Sequence, residues 1–196
     1  HKTSSAASDV YKRQEDNTRP YAFGFDEYCL WQLTKTKNLG ERFADPLIEQ
    51  NGKFLPRDKD AYGPDVVSNY AIEFIKRNKE NPFFIYYPML LVHDPFVPTP
   101  DSEEWSSQDL RYKKDNRFFV DMVEYMDKIV GKIVNELKVN GIDENTLIMF
   151  IGDNGTNVKL VTKTVDGEIQ GGKGNTITHG VHVPMVASWP SIIKKP

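Results

Sequence analysis

Two stretches of the chain carry apolar residues at helical spacing. Between residues 120 and 137 they recur every three or four positions with charges on the opposite face, and Asn140-Gly141 follows as a stop signal. The same spacing runs from residue 65 to about 78, after Pro64, which stands where first-turn prolines are common. The pattern predicts two helices, of which the one at 120–137 is long and amphipathic.

Three short apolar runs lack polar alternation. Residues 83–87, 146–151 and 184–189 are rich in aromatic and aliphatic side chains and are too short for a typical helix, which favours buried strands. We predict that 83–87 forms a central parallel strand buried on both faces. Between residues 157 and 178 the chain is polar, and Asp166-Gly167 predicts the turn of a small hairpin.

The alternation of helices and apolar strands predicts the fold class. It indicates an α/β protein with a mostly parallel sheet flanked by helices, in which ligands collect beyond the carboxyl ends of the strands. Residues 15–63 show little periodicity and are predicted to be mostly loop, whereas the alternation occupies residues 64–196. Residues 1–14 are polar and aperiodic and resemble a translated sequencing adapter, so we expect native sequence to start near Glu15.

Composition and charge exclude several classes of partner. The chain has 196 residues, of which 39% are hydrophobic and 27% charged, as is ordinary for one globular domain. A net charge of −3 and a pI near 5.8 provide no field that would gather nucleic acid or an anionic membrane surface. No apolar run approaches the roughly 20 residues of a membrane helix. Cys29 is the only cysteine, so no intrachain disulfide forms.

A possible cation site follows the apolar run 146–151. The segment Gly152-Asp153-Asn154-Gly155 places a carboxylate and an amide oxygen side by side at the carboxyl end of a predicted strand. Such hard oxygen donors suit Ca²⁺ or Mg²⁺, although Ca²⁺ takes about six to eight ligands and two oxygens do not complete a site. The alternative is that Asn154-Gly155 only makes a tight turn.

Two further positions suit an anion. His93 follows the predicted strand 83–87 in a proline-stiffened loop, where an imidazole is able to donate to an anionic oxygen. Lys173 stands within Gly171-Gly172-Lys173-Gly174, which lets backbone amides and one ammonium converge on an anion, and Asn175 excludes a Walker motif. The alternatives are a locally satisfied histidine and a flexible loop with an incidental lysine.

The remaining candidates carry less chemistry. Asp94 is interpreted as a solvated turn residue rather than as the partner of His93. His179 and His182 are left without a role, because two histidines three positions apart outside a helix are a weak sign of a metal pair. Cys29 has no base or positive cluster nearby and is predicted to be a buried or loop thiol. The sequence therefore offers groups that bind an anion and a cation, but no nucleophile.

The order and spacing of these segments resemble the type I sulfatases of the alkaline-phosphatase-like superfamily. The matching segments are 81–88, His93-Asp94-Pro95, 125–131, 145–155, Gly171-Gly172-Lys173-Gly174, Val183-Pro184 and Trp189-Pro190, with a looser match at 24–28. By this resemblance the fold is alkaline-phosphatase-like but incomplete. Residues 15–63 would be a loop-rich part, and residues 64–196 the central to C-terminal part, of the sulfatase catalytic domain.

The resemblance also implies roles for four residues. Asp153 and Asn154 would be ligands of a divalent cation, usually Ca²⁺ with Mg²⁺ as an alternative, and His93 and Lys173 would hold the sulfate ester. The nucleophile of the family is a formylglycine made within a Cys/Ser-x-Pro-x-Arg motif, which this chain lacks, so we expect it upstream. Residues 178–182 depart from the Trp-Glu-Gly-Gly-Ile-Arg sequence that many relatives have there.

The function implied is that of a sulfuric ester hydrolase acting on a sulfated small molecule or glycan, with this chain inactive on its own. The alternatives are a phosphodiesterase or phosphonate hydrolase of the same superfamily, and a non-catalytic Ca²⁺-dependent binding module. Members of the family are commonly exported, which implies a periplasmic or extracellular location. Neither nucleic acid nor a membrane is expected as a partner, and nothing in the sequence indicates an oligomeric state.

Overall fold

The computed structural model describes residues 2–5, as backbone, together with residues 18–31 and 41–194. The chain divides into two compact units, unit 1 (His1–Asn140) and unit 2 (Gly141–Pro196). Of the adapter-like segment 1–14, residues 2–5 form a strand, and the others lie outside the described residues. The non-native origin of that segment stays a prediction.

Unit 1 is built on a five-stranded mixed sheet. Its strands are β1 (Lys2–Ser5), β2 (Glu27–Trp31), β3 (Ile48–Gln50), β4 (Lys53–Phe54) and β5 (Phe84–Tyr86). The order across the sheet is β4-β3-β2-β1-β5. Strand β1 runs parallel to β2 and to β5, whereas β3 pairs antiparallel with both β2 and β4.

This sheet differs from the mostly parallel sheet that was predicted. Among the strand pairs of the described residues, β1–β2 and β1–β5 are parallel, and the other four, two of them in unit 2, are antiparallel. The strand predicted at 83–87 is present and parallel, but it lies at an edge, with Phe84 and Tyr86 exposed. Phe25 stacks against both rings, at 6.3 and 6.4 Å between centroids. Within the described residues of unit 1, the two exposed rings of this strand therefore contact a loop residue.

The region 15–63 holds more regular structure than predicted. Its described part contains a short helix, α1 (Arg19–Ala22), in addition to β2, β3 and β4. Tyr28, Cys29 and Leu30 of β2 are all 0% exposed, so both faces of this strand are covered and no polar alternation marks it in the sequence. The Tyr28 hydroxyl donates to Glu49 Oε1 on β3 at 2.8 Å, which satisfies a buried carboxylate.

The two predicted helices are confirmed as α2 (Gly63–Asn78) and α3 (Phe118–Val139). Their buried apolar residues recur at helical spacing and are Val67, Ala71, Phe74 and Ile75 on α2 and Phe118, Met122, Tyr125, Ile129 and Leu137 on α3. After α3, Gly141 takes a φ of 68°, which glycine adopts without strain, so the predicted stop is also confirmed. In the part of the chain that the structure describes, no helix has the length and apolar character needed to cross a membrane.

Unit 2 holds two antiparallel strand pairs and a short helix. Its elements are β6 (Ile148–Ile151), β7 (Val161–Thr164), β8 (Gly167–Gln170), α4 (Thr178–Val181) and β9 (Met185–Ser188). Strand β6 pairs with β9, and β7 pairs with β8 across the turn at Asp166-Gly167. The predicted strands at 146–151 and 184–189 and the predicted hairpin are thus confirmed, although β6 and β9 are antiparallel.

Candidate functional site

His93 lies in the loop after β5, and its side chain is half-buried. Its Nδ1 is 2.6 Å from the main-chain carbonyl oxygen of Asp94, and the Arg42 Nη2 donates to the same oxygen at 2.6 Å. A carbonyl oxygen only accepts hydrogen bonds, so this contact requires Nδ1 to carry the proton. Asp94 therefore orients His93 through its main chain, a role that the interpretation of Asp94 as a solvated turn residue did not include.

Arg42 is a residue that the sequence analysis did not single out. Its guanidinium lies over the rings of Trp31 and Phe43, at 5.2 and 5.3 Å from their centroids. Arg42 is 52 positions from Asp94, so no local spacing connects the two residues. The one available signal was an arginine next to an aromatic residue in a loop-rich region, which is too common to select it.

Asp153 and Asn154 follow the carboxyl end of β6, as predicted. The Asp153 side chain is exposed and that of Asn154 is half-buried. The loop that carries them is held on both sides by main-chain hydrogen bonds, from Gly152 N to Pro184 O at 3.0 Å and from Gly155 N to Gly180 O at 2.9 Å. The backbone that carries these two side chains is thus fixed against Gly180 in α4 and against Pro184, the residue before β9.

Lys173 lies on a neighbouring loop of the same unit, with its side chain exposed. Its main-chain N donates to Thr156 O at 2.9 Å, two residues beyond Asn154, and Gly171 N donates to Leu160 O at 2.9 Å. The structure therefore joins the loop of Lys173 directly to the loop of Asp153 and Asn154. His93 belongs to unit 1, whereas these three residues belong to unit 2.

Glycine is required where these loops meet. A Cβ added at Gly155 would lie 1.9 Å from His179 O, and one added at Gly172 would lie 2.6 Å from Gly180 N. Both contacts are with backbone atoms, which are unable to move aside as the end of a flexible side chain would. Gly172, directly before Lys173, therefore allows close packing of the two loops, which argues against the alternative of a flexible loop with an incidental lysine.

The donor set in unit 2 matches the chemistry of a hard divalent cation but is small. Asp153 contributes a carboxylate and Asn154 an amide oxygen, which are the ligand types that Ca²⁺ and Mg²⁺ prefer. Within residues 18–31 and 41–194 there is no group of three or more His, Cys, Asp or Glu side chains placed to hold a metal ion. By ligand type these two residues fit a hard divalent cation, and by number they do not complete a site.

His179 and His182 are both exposed, and they flank the end of α4. The carbonyl of His179 lies against Gly155, and the main-chain N of His182 donates to Thr178 O at 2.9 Å. Their backbone atoms thus support the loop of Asp153, while the imidazoles remain without an assigned role.

Cys29 is not suited to act as a nucleophile. The thiol is fully buried in β2, and burial raises its pKa to about 12, so it stays protonated at neutral pH. Of the two predicted placements, a buried or a loop thiol, the buried one is confirmed.

A family model and two similar proteins all point to one family. The Sulfatase family model matches residues 2–196. A sulfatase from Formosa agariphila is 27% identical over 190 residues, which are 91% of this chain and 32% of that protein. The N-acetylgalactosamine-6-O-sulfatase of Bacteroides thetaiotaomicron is 30% identical over 146 residues, which are 69% of this chain and 27% of that protein.

Solved structures agree with the sequence matches. The crystal structure of Ps i-CgsB superposes with a TM-score of 0.68 and 26% identity, over 96% of this chain and 44% of that one. The same protein in complex with k-i-k-neocarrahexaose superposes with a TM-score of 0.66 and 25% identity, over the same shares. The chain spans about a third of the length of the Formosa sulfatase and about a quarter of the length of the Bacteroides sulfatase. Since the family model matches nearly every residue, the chain belongs to the sulfatase family.

Proposed function

We propose that the protein containing this chain is a sulfuric ester hydrolase, and that this chain carries part of its cation and sulfate site. The observation that supports the proposal most directly is the hydrogen bond from Lys173 N to Thr156 O at 2.9 Å. It holds an exposed ammonium and two hard oxygen donors on adjoining loops of one unit. Binding a sulfate ester next to a divalent cation needs that combination of charges.

Lys173 would bind the substrate through its charge. An ammonium close to the sulfate oxygens opposes the negative charge that collects in the transition state as the S–O bond breaks. Because the loop is fixed through main-chain contacts, little reorganisation is needed when the ester binds.

His93 would donate a proton to the alcohol oxygen as it departs from the sulfate ester. Its Nδ1–H is directed to the Asp94 carbonyl, so Nε2 is the ring nitrogen that would donate this proton. Donation from Nε2 requires the imidazolium form, because Nδ1 already carries a proton.

Asp153 and Asn154 would hold the divalent cation, with Ca²⁺ as the expected ion and Mg²⁺ as the alternative. A cation bound there would supply positive charge that neutralises the sulfate group. The other ligands and the nucleophile, a formylglycine in this proposal, would come from sequence outside this chain.

The proposed substrate class is a sulfated glycan. Ps i-CgsB has been crystallised with an oligosaccharide, k-i-k-neocarrahexaose, and the Bacteroides relative is named for an N-acetylgalactosamine sulfate ester. Both names support a carbohydrate sulfate ester as the substrate class.

Turnover by the protein that contains this chain tests the proposal. Lys173→Ala and His93→Ala are each expected to lower kcat/KM for a sulfated glycan by roughly 100-fold, since each removes a group that stabilises the transition state. Lys163→Ala, on the exposed strand β7, is the matched control and is expected to leave turnover unchanged. Equal turnover in all three variants contradicts the assignment, and cleavage of phosphate but not sulfate esters favours a phosphohydrolase.

Calcium binding provides a readout besides turnover. Calorimetric titration of the chain with CaCl₂ is expected to show weak binding, with a Kd in about the millimolar range because few ligands are present. Asp153→Ala is expected to abolish the heat of binding, whereas Asp166→Ala, in the turn of the β7–β8 hairpin, is expected to retain it. Equal binding by both variants contradicts the cation assignment.

A further inference from the structure

Arg42 and His93 share one acceptor, the main-chain carbonyl oxygen of Asp94. We infer that Arg42 is a positioning residue for His93, which fixes the protonated nitrogen of the imidazole by anchoring that carbonyl. The inference rests on the proposed role of His93 in sulfate ester cleavage. Both donors lie 2.6 Å from the oxygen, which has two lone pairs and so accepts both bonds at once.

The guanidinium of Arg42 is held in place from several sides. It lies over the Trp31 ring, at the end of β2, and over the Phe43 ring, which is 3% exposed and stacks on Tyr62 at 6.2 Å. Flat packing of a guanidinium on aromatic faces restricts the side chain to few conformations. The position of the donor is therefore defined before any substrate binds.

The backbone of Arg42 is fixed as well. Gly63, the first residue of α2, lies so close that an added Cβ would be 1.8 Å from Arg42 O, and Gly63 N donates to Phe43 O at 2.8 Å. Helix α2 thereby supports the segment from which the guanidinium reaches Asp94. Contacts thus connect Gly63, at the start of α2, through Arg42 to the main-chain carbonyl of Asp94.

The consequence is a defined tautomer. A histidine whose Nδ1–H is bound to a carbonyl has Nε2 as the nitrogen that gains and loses a proton. Arginine stays protonated throughout the pH range of enzymes, so its bond to the carbonyl is the same whether the imidazole is neutral or charged. Without Arg42, the Asp94 carbonyl loses its second donor and the Nδ1–H bond loses a fixed acceptor.

Nitrogen NMR of the whole chain tests this inference directly. With ¹⁵N-histidine labelling, two-bond correlations to the ring protons distinguish Nδ1–H from Nε2–H, and His93→Gln identifies the signals of His93. The unmodified chain is expected to show His93 as the Nδ1–H form at a pH where the ring is neutral. Arg42→Met is expected to lose this form in favour of Nε2–H or a mixture.

Two variants separate positioning from packing. Arg77→Met is the matched control, because Arg77 also lies over an aromatic ring and donates two hydrogen bonds, to Glu27, and it is expected to leave the His93 tautomer unchanged. Arg42→Lys keeps an N–H donor and is expected to retain the Nδ1–H form. A loss as complete in Arg42→Lys as in Arg42→Met would assign the effect to packing on Trp31 and overturn the proposal.

Two other results would also overturn it. One is an Nε2–H form in an unmodified chain whose circular dichroism shows that it is folded. The other is an unchanged tautomer in an Arg42→Met chain whose circular dichroism shows that it is folded. Since the measurement needs no turnover, it fails or succeeds independently of the proposed sulfatase activity.

Discussion

The hydroxyl of Tyr125 donates a hydrogen bond to Asp65 Oδ2 at 2.5 Å, and this bond joins the middle of α3 to the first turn of α2. The other oxygen of the same carboxylate accepts from Lys132 Nζ at 3.0 Å. Tyr125 is 3% exposed, so water has little access to its side of the contact. One carboxylate therefore ties together the two longest helices of the described chain.

Removal of that hydroxyl is expected to weaken unit 1. Tyr125→Phe should lower the free energy of unfolding by about 2 kcal/mol, because a buried hydrogen bond to a charged acceptor is lost. Urea unfolding followed by circular dichroism measures the change. Tyr112→Phe removes the hydroxyl of an exposed ring and is expected to change stability by less than about 0.5 kcal/mol. A similar loss in both variants would show that the Tyr125–Asp65 bond contributes nothing specific.

Alkaline pH is expected to destabilise the fold. Burial, and then a hydrogen bond to a carboxylate, raises the pKa of Tyr28, Tyr70 and Tyr125 above the ordinary value of 10.0. Because the folded state holds these protons more tightly, the stability they provide is fully present below the unfolded pKa and is lost as the pH rises above about 10.

This pH dependence is measurable in two ways. The urea concentration at the unfolding midpoint should decrease as the pH is raised from about 9 to about 11. Tyrosinate absorbance should appear at a higher pH in the folded chain than in the urea-unfolded chain. Coincident titration curves for the folded and unfolded chains would contradict the expectation.

Cys29 is expected to report unfolding rather than reactivity. A thiol that is 0% exposed, and whose pKa is raised to about 12 by burial, should not react with an aromatic disulfide at about pH 8 in the folded chain. Labelling should appear only as urea unfolds unit 1, with the same midpoint as the circular dichroism. Fast labelling without urea would show that β2 opens far more readily than its burial indicates.

Two glycines are expected to respond to alanine in opposite ways. Gly155→Ala would place a Cβ 1.9 Å from His179 O, and the required backbone shift is expected to destabilise unit 2 by about 1–3 kcal/mol. Gly131→Ala, on α3 with no atom within 4 Å of the added Cβ, should instead raise stability by about 0.5–1 kcal/mol.

Hydrogen–deuterium exchange of the segment 152–180 distinguishes these outcomes. Exchange there should be faster in Gly155→Ala and unchanged in Gly131→Ala. Unchanged exchange in Gly155→Ala would show that the loops of Asp153 and Lys173 accommodate a side chain at their junction.

The features that the sequence predicted well are those that local contacts determine. The apolar spacing of α2 and α3 follows from residues three and four apart, and the hairpin at Asp166-Gly167 depends on a turn between adjacent strands. The roles of positions 153, 154 and 173 stay predictions, made from the order and spacing of their motifs.

Features that depend on distant pairing could not be predicted. Both faces of strand β2 are covered by residues distant in the chain, so its sequence shows no alternation. In the sheet of the described residues, β5 is an edge strand whose exposed aromatic rings contact Phe25. Arg42 meets Asp94 across 52 positions, through a main-chain oxygen that every residue has. Neither the arginine side chain nor the aspartate side chain predicts that contact from the sequence.

The bond from Lys173 N to Thr156 O and the bond from Gly155 N to Gly180 O involve main-chain atoms alone. Side chains at 153, 154 and 173 are therefore exchangeable without removing what holds their loops together. In these loops, main-chain hydrogen bonds determine the path of the backbone, and side chains determine the charge. A substitution at any one of these three positions is therefore expected to change the charge or the oxygen donors that the loops present while the main-chain hydrogen bonds stay in place.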